Sequence, residues 1–291
     1  MIIFVLLILS FYNFNNGTAG NNKDNIINIE LVFNDFEGEY QQGDYIEIII
    51  ENVFDRDLKL VSDIADQVNN QLYKDGNKLF AYIPIGLAKE VGDYTIEIYN
   101  NEEIVKSGVI KIVEGDFVIQ NLTIKQSIVD NTQTKEAYQE YRDAVAKARS
   151  YNFKERFYED AFIMPIDGRI TTEFGVKRYI NGSIIPTRHY GIDIANDKGT
   201  PVKAAASGKV VFADYLTTSG NYIVIDHGRG LFSYYAHLDS LNTNLMDFVD
   251  QGDIIGYVGS TGFSTGPHLH FNITFMETSI SPWLFINKPG D

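Results

Sequence analysis

The stretch "HLHFNITF", His268–Phe275, alternates polar and apolar residues with a period of two. In a strand, residues i and i+2 point to the same face. His268, His270, Asn272 and Thr274 therefore share one face, and Leu269, Phe271, Ile273 and Phe275 the other. The run reads as a strand with a core side and a polar side that carries two imidazoles. The chain has only five histidines in 291 residues. A pair on one strand face fits a metal site, and equally a surface pair.

Working outward, two more segments show the same habit. In "RHYGIDIAND", the alternation of Ile192 and Ile194 predicts a strand with His189, Gly191 and Asp193 on the face away from the core. In "SYYAHLDS", Ser233, Tyr235 and His237 share one face, and Tyr234, Ala236 and Leu238 the other. Four of the five histidines and one Asp thus fall on one kind of strand face within one glycine-punctuated region. Each segment alone has an ordinary surface explanation; the combination carries the weight. Two imidazoles and one carboxylate suit Zn²⁺ and leave a fourth position open, as in catalytic sites. His227, in "IVIDHGRG", precedes a turn and is expected to be structural or supporting.

The front half has a different character. "INIELVF", "DYIEIIIENV", "KLFAYIPI", "DYTIEIYN" and "SGVIKIVEG" are short β-branched and aromatic runs separated by turn signals. They predict a small immunoglobulin-like β-sandwich. Ala137, Tyr141, Ala144, Val145 and Ala148 then recur at helical spacing. They predict one amphipathic helix over 134–151, with cap candidates at Asp130, Asn131 and Thr132. The first residues, "MIIFVLLILSFYNFNNGTAG", have the length and small-residue tail of an export signal, too short for a comfortable membrane span. The divisions are 1–20 leader, 25–115 sandwich, 116–160 linker with helix, and 161–291 second β-domain. The fold class is mainly β. The protein is expected to be exported, and to touch membrane only if the leader stays uncleaved.

Composition excludes several functions. There is no cysteine, so disulfides and thiolate metal sites are ruled out and any site must use His, Asp and Glu. Net charge is −15, with 9 Lys+Arg against 12 Asp+Glu from Ala161 onward and 15 against 27 before it. Such a chain does not fit nucleic-acid binding or attachment to other polyanions. The acidic front domain is expected to be a spacer or a cover over the groove. The part from Ala161 alone is then expected to act on small substrates at least as fast as the longer chain.

Four segments in order, "RITTEFGVKR", "HYGIDIANDKGTPVKAAASGKVVFA", "GNYIVIDHGRGLFSYYAHL" and "VDQGDIIGYVGSTGFSTGPHLHF", resemble the lysostaphin-like zinc endopeptidases, which cut peptide bonds in bacterial peptidoglycan. The likeness runs from about Pro165 to Phe275. It implies an antiparallel β-sheet domain with an open groove and one Zn²⁺ per chain. It implies His189, Asp193 and His270 as metal ligands, His237 and His268 as catalytic residues, and peptidoglycan peptides as partner. Either catalytic histidine can be the general base. The sequence departs from the pattern at "FNIT", where an acidic residue is expected after Phe271. The segment "RYINGSIIPTR" offers no oxyanion-stabilising side chain. Two rival readings remain. One is a non-catalytic wall-binding or amidase-activating module, against which the intact five residues count. The other is a carrier, since "QGDIIGYVG" resembles a lipoyl hairpin but has no lysine at its turn.

Overall fold

The computed structural model describes residues 32–33, 37–53, 56–64, 70–159 and 161–286. The leader, and the part of "INIELVF" before Val32, lie outside them. Among the described residues no helix is long and apolar enough to cross a membrane.

Two four-stranded sheets form the front domain. One runs β1 (Val32–Phe33), β3 (Tyr45–Glu51), β6 (Lys78–Pro84), β5 (Tyr73–Asp75). The other runs β2 (Gly38–Gln41), β8 (Glu103–Val113), β7 (Gly92–Asn100), β4 (Leu58–Ser62). The alternation that marked these runs buries one side of each: Ile46, Ile48 and Ile50 meet Ile96, Ile98, Ile110 and Ile112 in one apolar core. β2, β4 and β5 were not legible in the sequence. They are three to five residues long, too short for alternation to register.

The connecting segment is built into the second domain. β9 (Ile119–Leu122) pairs in parallel with β11 (Lys177–Ile180), which also pairs with β12 (Thr187–Arg188). A short helix, α1 (Gln126–Thr132), precedes α2 (Lys135–Arg149). Asp130, Asn131 and Thr132 lie in α1 and cap nothing. The N-cap of α2 is Thr134, whose Oγ1 accepts from the Ala137 N–H. The apolar stripe of α2 buries Ala137, Val145 and Ala148, the last two against Val211, Tyr222, Val224 and Tyr234.

The second domain is one large, mainly antiparallel sheet. Its path runs β10 (Arg169–Thr172), β13 (Ile192–Ala195), β20 (His268–Phe275), β17 (Leu231–Leu241), β16 (Gly220–Gly228), β15 (Gly208–Leu216), β18 (Phe248–Val249). β19 (Ile254–Val258) joins β17 and β14 (Pro201–Lys203), and β21 (Thr278–Ile280) joins β20. One face carries the main core, including Ile192, Ile194, Leu269, Phe271, Ile273 and Tyr235. The sandwich docks at the Phe275 end of β20: Tyr82 stacks on Phe275, Tyr45 stacks on Phe285, and Arg229 pairs with Asp75 at 2.6 Å. At about 3.4 Å per residue, that end lies roughly two dozen ångströms from His268.

Candidate functional site

Three adjacent strands make the site floor. Register places Asp193 opposite His270, and His270 opposite Ala236. These residues share the sheet face opposite the main core, as alternation in β20 predicts. His268 lies one pleat repeat further on, opposite Ala195.

His189 reaches the floor by a different route from the one expected. β12 ends at Arg188 and β13 begins at Ile192, so His189 and Asp193 do not share a strand. The His189 N–H donates to the Val176 carbonyl (3.0 Å), and the Gly175 N–H donates to the His189 carbonyl (2.8 Å). Gly191 lets this connection press on β20. A Cβ there would lie 2.3 Å from the Phe271 carbonyl oxygen and 3.0 Å from His270 Cε1. No side chain fits such an approach.

His237 also breaks the expected pattern. Simple alternation puts it with Tyr235, yet Tyr235 is fully buried in the main core, as is Leu238. Between Ile223↔Tyr235 and Asn221↔Leu238, β17 carries one residue more than β16. His237 takes up this bulge at φ 62°. Its N–H donates to the Ser219 carbonyl at 2.8 Å. The bulge re-aims the ring into the groove, as bulges beside active sites do.

Hydrogen bonds assign the ring protons. Nδ1–H of His189 donates to the Glu173 carbonyl (2.9 Å), that of His237 to the Thr261 carbonyl (2.9 Å), and that of His268 to the Gly266 carbonyl (2.8 Å). Each ring then presents an Nε2 lone pair. Nε2 of His189, Nδ1 of His270 and Oδ1 of Asp193 are mutually 2.9 Å apart. His189 Nε2 and Asp193 Oδ1 are both acceptors once the His189 proton is assigned, and the one proton available on His270 cannot satisfy all three contacts. Two imidazole nitrogens and a carboxylate oxygen converging in this way could hold a divalent metal ion, and the donor types fit Zn²⁺. His237 and His268 stand beside the trio, 4.8 Å apart between ring centroids.

Burial disfavours charge on Asp193, but the charges of and hydrogen bonds to His189 and His270 outweigh it and hold the carboxyl well below its usual range. Burial pushes His270 down to about 4, against its hydrogen bond to Asp193. Burial, reinforced by His268 and His270, pushes His237 down to about 3. Both are neutral near pH 7, the form that accepts a metal or a proton.

The site opens into a groove of about 830 Å³. One wall comes from the connecting segment: Gln120, Leu122, Ile124, Gln133, Tyr138 and Tyr141. Among the described residues the sandwich lines none of it, so the cover expected of the front domain is supplied by the segment after it. His227 is buried away from the groove. Its Nδ1 lies 2.8 Å from the Ser207 carbonyl and its Nε2 2.7 Å from Ser233 Oγ, a structural role. Asn272, where an acid was expected, is 7% exposed and donates from Nδ2 to Ser279 Oγ at 3.3 Å. Sequence reasoning missed Arg178. Its Nη2 lies 2.5 Å from Asp193 Oδ2. No pattern in the sequence marked it, and only the fold brings it to the carboxylate.

Comparison with known proteins agrees with this geometry. Residues 187–282 match the model of Peptidase family M23. Lysostaphin of Staphylococcus staphylolyticus is 42% identical over 117 residues, covering 38% of this chain and 24% of that protein. The DD-carboxypeptidase/endopeptidase Mpg of Neisseria meningitidis serogroup B is 39% identical over 116 residues, covering 39% and 26%. The chain spans about a quarter of the length of these relatives. A crystal structure from Pseudomonas aeruginosa described as a peptidase M23 shares the fold, with TM-score 0.55 at 20% identity over 84% of this chain and 93% of that one. The C-terminal domain of this chain belongs to the lysostaphin-like Peptidase family M23.

Proposed function

We propose that this protein is an exported zinc endopeptidase that hydrolyses peptide bonds in bacterial peptidoglycan. The observation that carries the reading is the convergence of three metal-type donors and two Nε2 lone pairs on one groove floor. The resemblance to the lysostaphin-like endopeptidases supplies the substrate class, and the relatives, lysostaphin and a DD-carboxypeptidase/endopeptidase, are consistent with it.

His189, Asp193 and His270 would hold the ion. Zinc, when bound, supplies a Lewis acid that polarises the scissile carbonyl and makes water acidic enough to attack near neutral pH. The chain's own residues do the rest. His268 sits at the groove surface and accepts the proton of the attacking water at Nε2, while its Nδ1–H, held by the Gly266 carbonyl, stabilises the imidazolium. It then returns that proton to the leaving amine. His237, held neutral by burial, keeps its Nε2 as an acceptor and orients the water. An oxyanion needs a donor, and in this tautomer His237 is not one. The groove wall from Gln120 to Tyr141 limits what can lie beside these groups.

The test is digestion of purified peptidoglycan of known cross-link chemistry with the zinc-loaded chain, the fragments read by mass spectrometry. New termini at peptide bonds, lost on chelation, are expected. Binding to the wall without any cleavage would instead mark a non-catalytic module of the same fold.

A further inference from the structure

The two oxygens of Asp193 have different partners. Oδ1 faces the imidazoles, 2.9 Å from His189 Nε2 and from His270 Nδ1. Oδ2 faces away from them and accepts from Arg178 Nη2. The ion pair is largely buried, with side chains 19% and 8% exposed. Arg178 is itself held. Its Nε donates to Gln120 Oε1 at 3.2 Å, and Gln120 is its register partner across the parallel β9–β11 pair. A guanidinium has donors fixed in one plane. Held at Nε by Gln120 and closed at Nη2 by Asp193, it fixes the carboxylate plane from outside.

We infer that Arg178, oriented by Gln120, is a positioning residue that holds Asp193 so that Oδ1 alone is offered to the metal. The connecting strand β9, outside the segment that matches the family, thereby becomes part of the metal site's support. The inference rests on the metal reading above.

The sign of the effect separates this role from simple charge. A cation beside the carboxylate repels a dication, so by charge alone removing Arg178 tightens zinc binding. If its role is orientation, removal weakens binding. Losing the hydrogen-bond partner of a metal ligand typically costs about 10–100-fold in affinity.

The experiment measures zinc dissociation constants of the full chain by competition with a chromophoric chelator. The visible spectrum of the cobalt-loaded protein and the unfolding temperature of the metal-free protein are recorded alongside. Arg178→Met is expected to bind zinc about 10–100-fold more weakly, with an altered cobalt spectrum. Arg178→Lys, which keeps the charge and loses the fork, falls between Met and wild type. Gln120→Ala gives a smaller loss in the same direction. Unchanged or tighter zinc binding in Arg178→Met overturns the positioning role and leaves the metal reading standing. Failure of the wild type to bind zinc overturns both. If Arg178→Met does not fold, Gln120→Ala and Arg178→Lys decide, and wild-type affinity in both overturns the proposal.

Discussion

Gly191→Ala tests whether the site depends on the close approach of β20 to the connection that leads into β13. The added Cβ lies 2.3 Å from the Phe271 carbonyl oxygen and 3.0 Å from His270 Cε1, where real Cβ contacts essentially never fall below 3.0 Å. The nearest obstacle is backbone and cannot rotate away, so the strands must separate by at least about 0.7 Å. Overpacking of this kind costs about 1–3 kcal/mol. At about 2–4 °C per kcal/mol for a protein of this size, the metal-free protein should unfold roughly 2–12 °C lower. The same displacement falls on Asp193 and His270, which face each other across this pair. Metal–ligand distances tolerate only about 0.2 Å, so zinc affinity should fall more steeply than stability does. Calorimetry and chelator competition read the two quantities separately. Gly86→Ala, whose Cβ meets only Thr278 Cγ2 at an ordinary 3.5 Å, is the control. If Gly191→Ala matches that control in both unfolding temperature and zinc affinity, the close approach is not part of the site.

Other outcomes follow from the same geometry. His270→Ala leaves two protein ligands and should lose most of the zinc by metal analysis; full retention removes His270 from the ligand set. His268→Ala and His237→Ala should keep zinc and lose roughly 10²–10⁴ in turnover; wild-type cleavage by both would refute their assignment. Burial raises Asp226 to about 6, against the N–H groups of Phe153 and Gly228. As pH rises from about 4 to 6 the unfolded chain ionises there while the folded protein resists, so stability is lost over that window. The difference in unfolding temperature between Asp226→Asn and wild type, both metal-free, should grow from pH 4 to 6 and then level off; a flat difference removes Asp226 as the cause.

The parts of the fold legible in the sequence are those where one residue's neighbours decide its place. Alternation in His268–Phe275 sets its own faces, and the stripe Ala137–Ala148 sets the buried side of α2. Reading failed wherever a second strand decides. His237 departs from alternation because β17 carries one residue more than β16, and a bulge is a property of the pair. His189 meets Asp193 across a loop, not along a strand, because the backbone of β20 passes under Gly191. Arg178 carries no sequence signal until β11 is placed beside β9 and its side chain against Asp193 of β13. The donor set was legible as residue types in order; its mutual distances and its supports were not.

The structure argues against one expectation drawn from sequence, that the part from Ala161 alone acts on small substrates at least as fast as the longer chain. The sandwich and the connecting segment do different things. The sandwich packs through Tyr45 and Tyr82 on Phe275 and Phe285, at the end of β20 away from the histidines, and through Gly43 against Phe174. The segment supplies Gln120 to Arg178, a groove wall, and the cover over Val211, Tyr222, Val224 and Tyr234. Cutting before residue 116 removes the sandwich and uncovers Phe275 and Phe285 at the far end of the sheet; cutting before residue 161 also uncovers that second core. Fully exposing a side chain of this size costs on the order of 1.5–3 kcal/mol, and several are uncovered together, against a typical total stability of about 5–15 kcal/mol. The chain from 116 should therefore keep zinc affinity close to that of the full chain, while the chain from 161 should bind zinc more weakly and unfold at lower temperature. Equal zinc affinity and turnover in both truncations would show that β9 and α2 contribute nothing to the site, and that the boundary at 161 is the functional one.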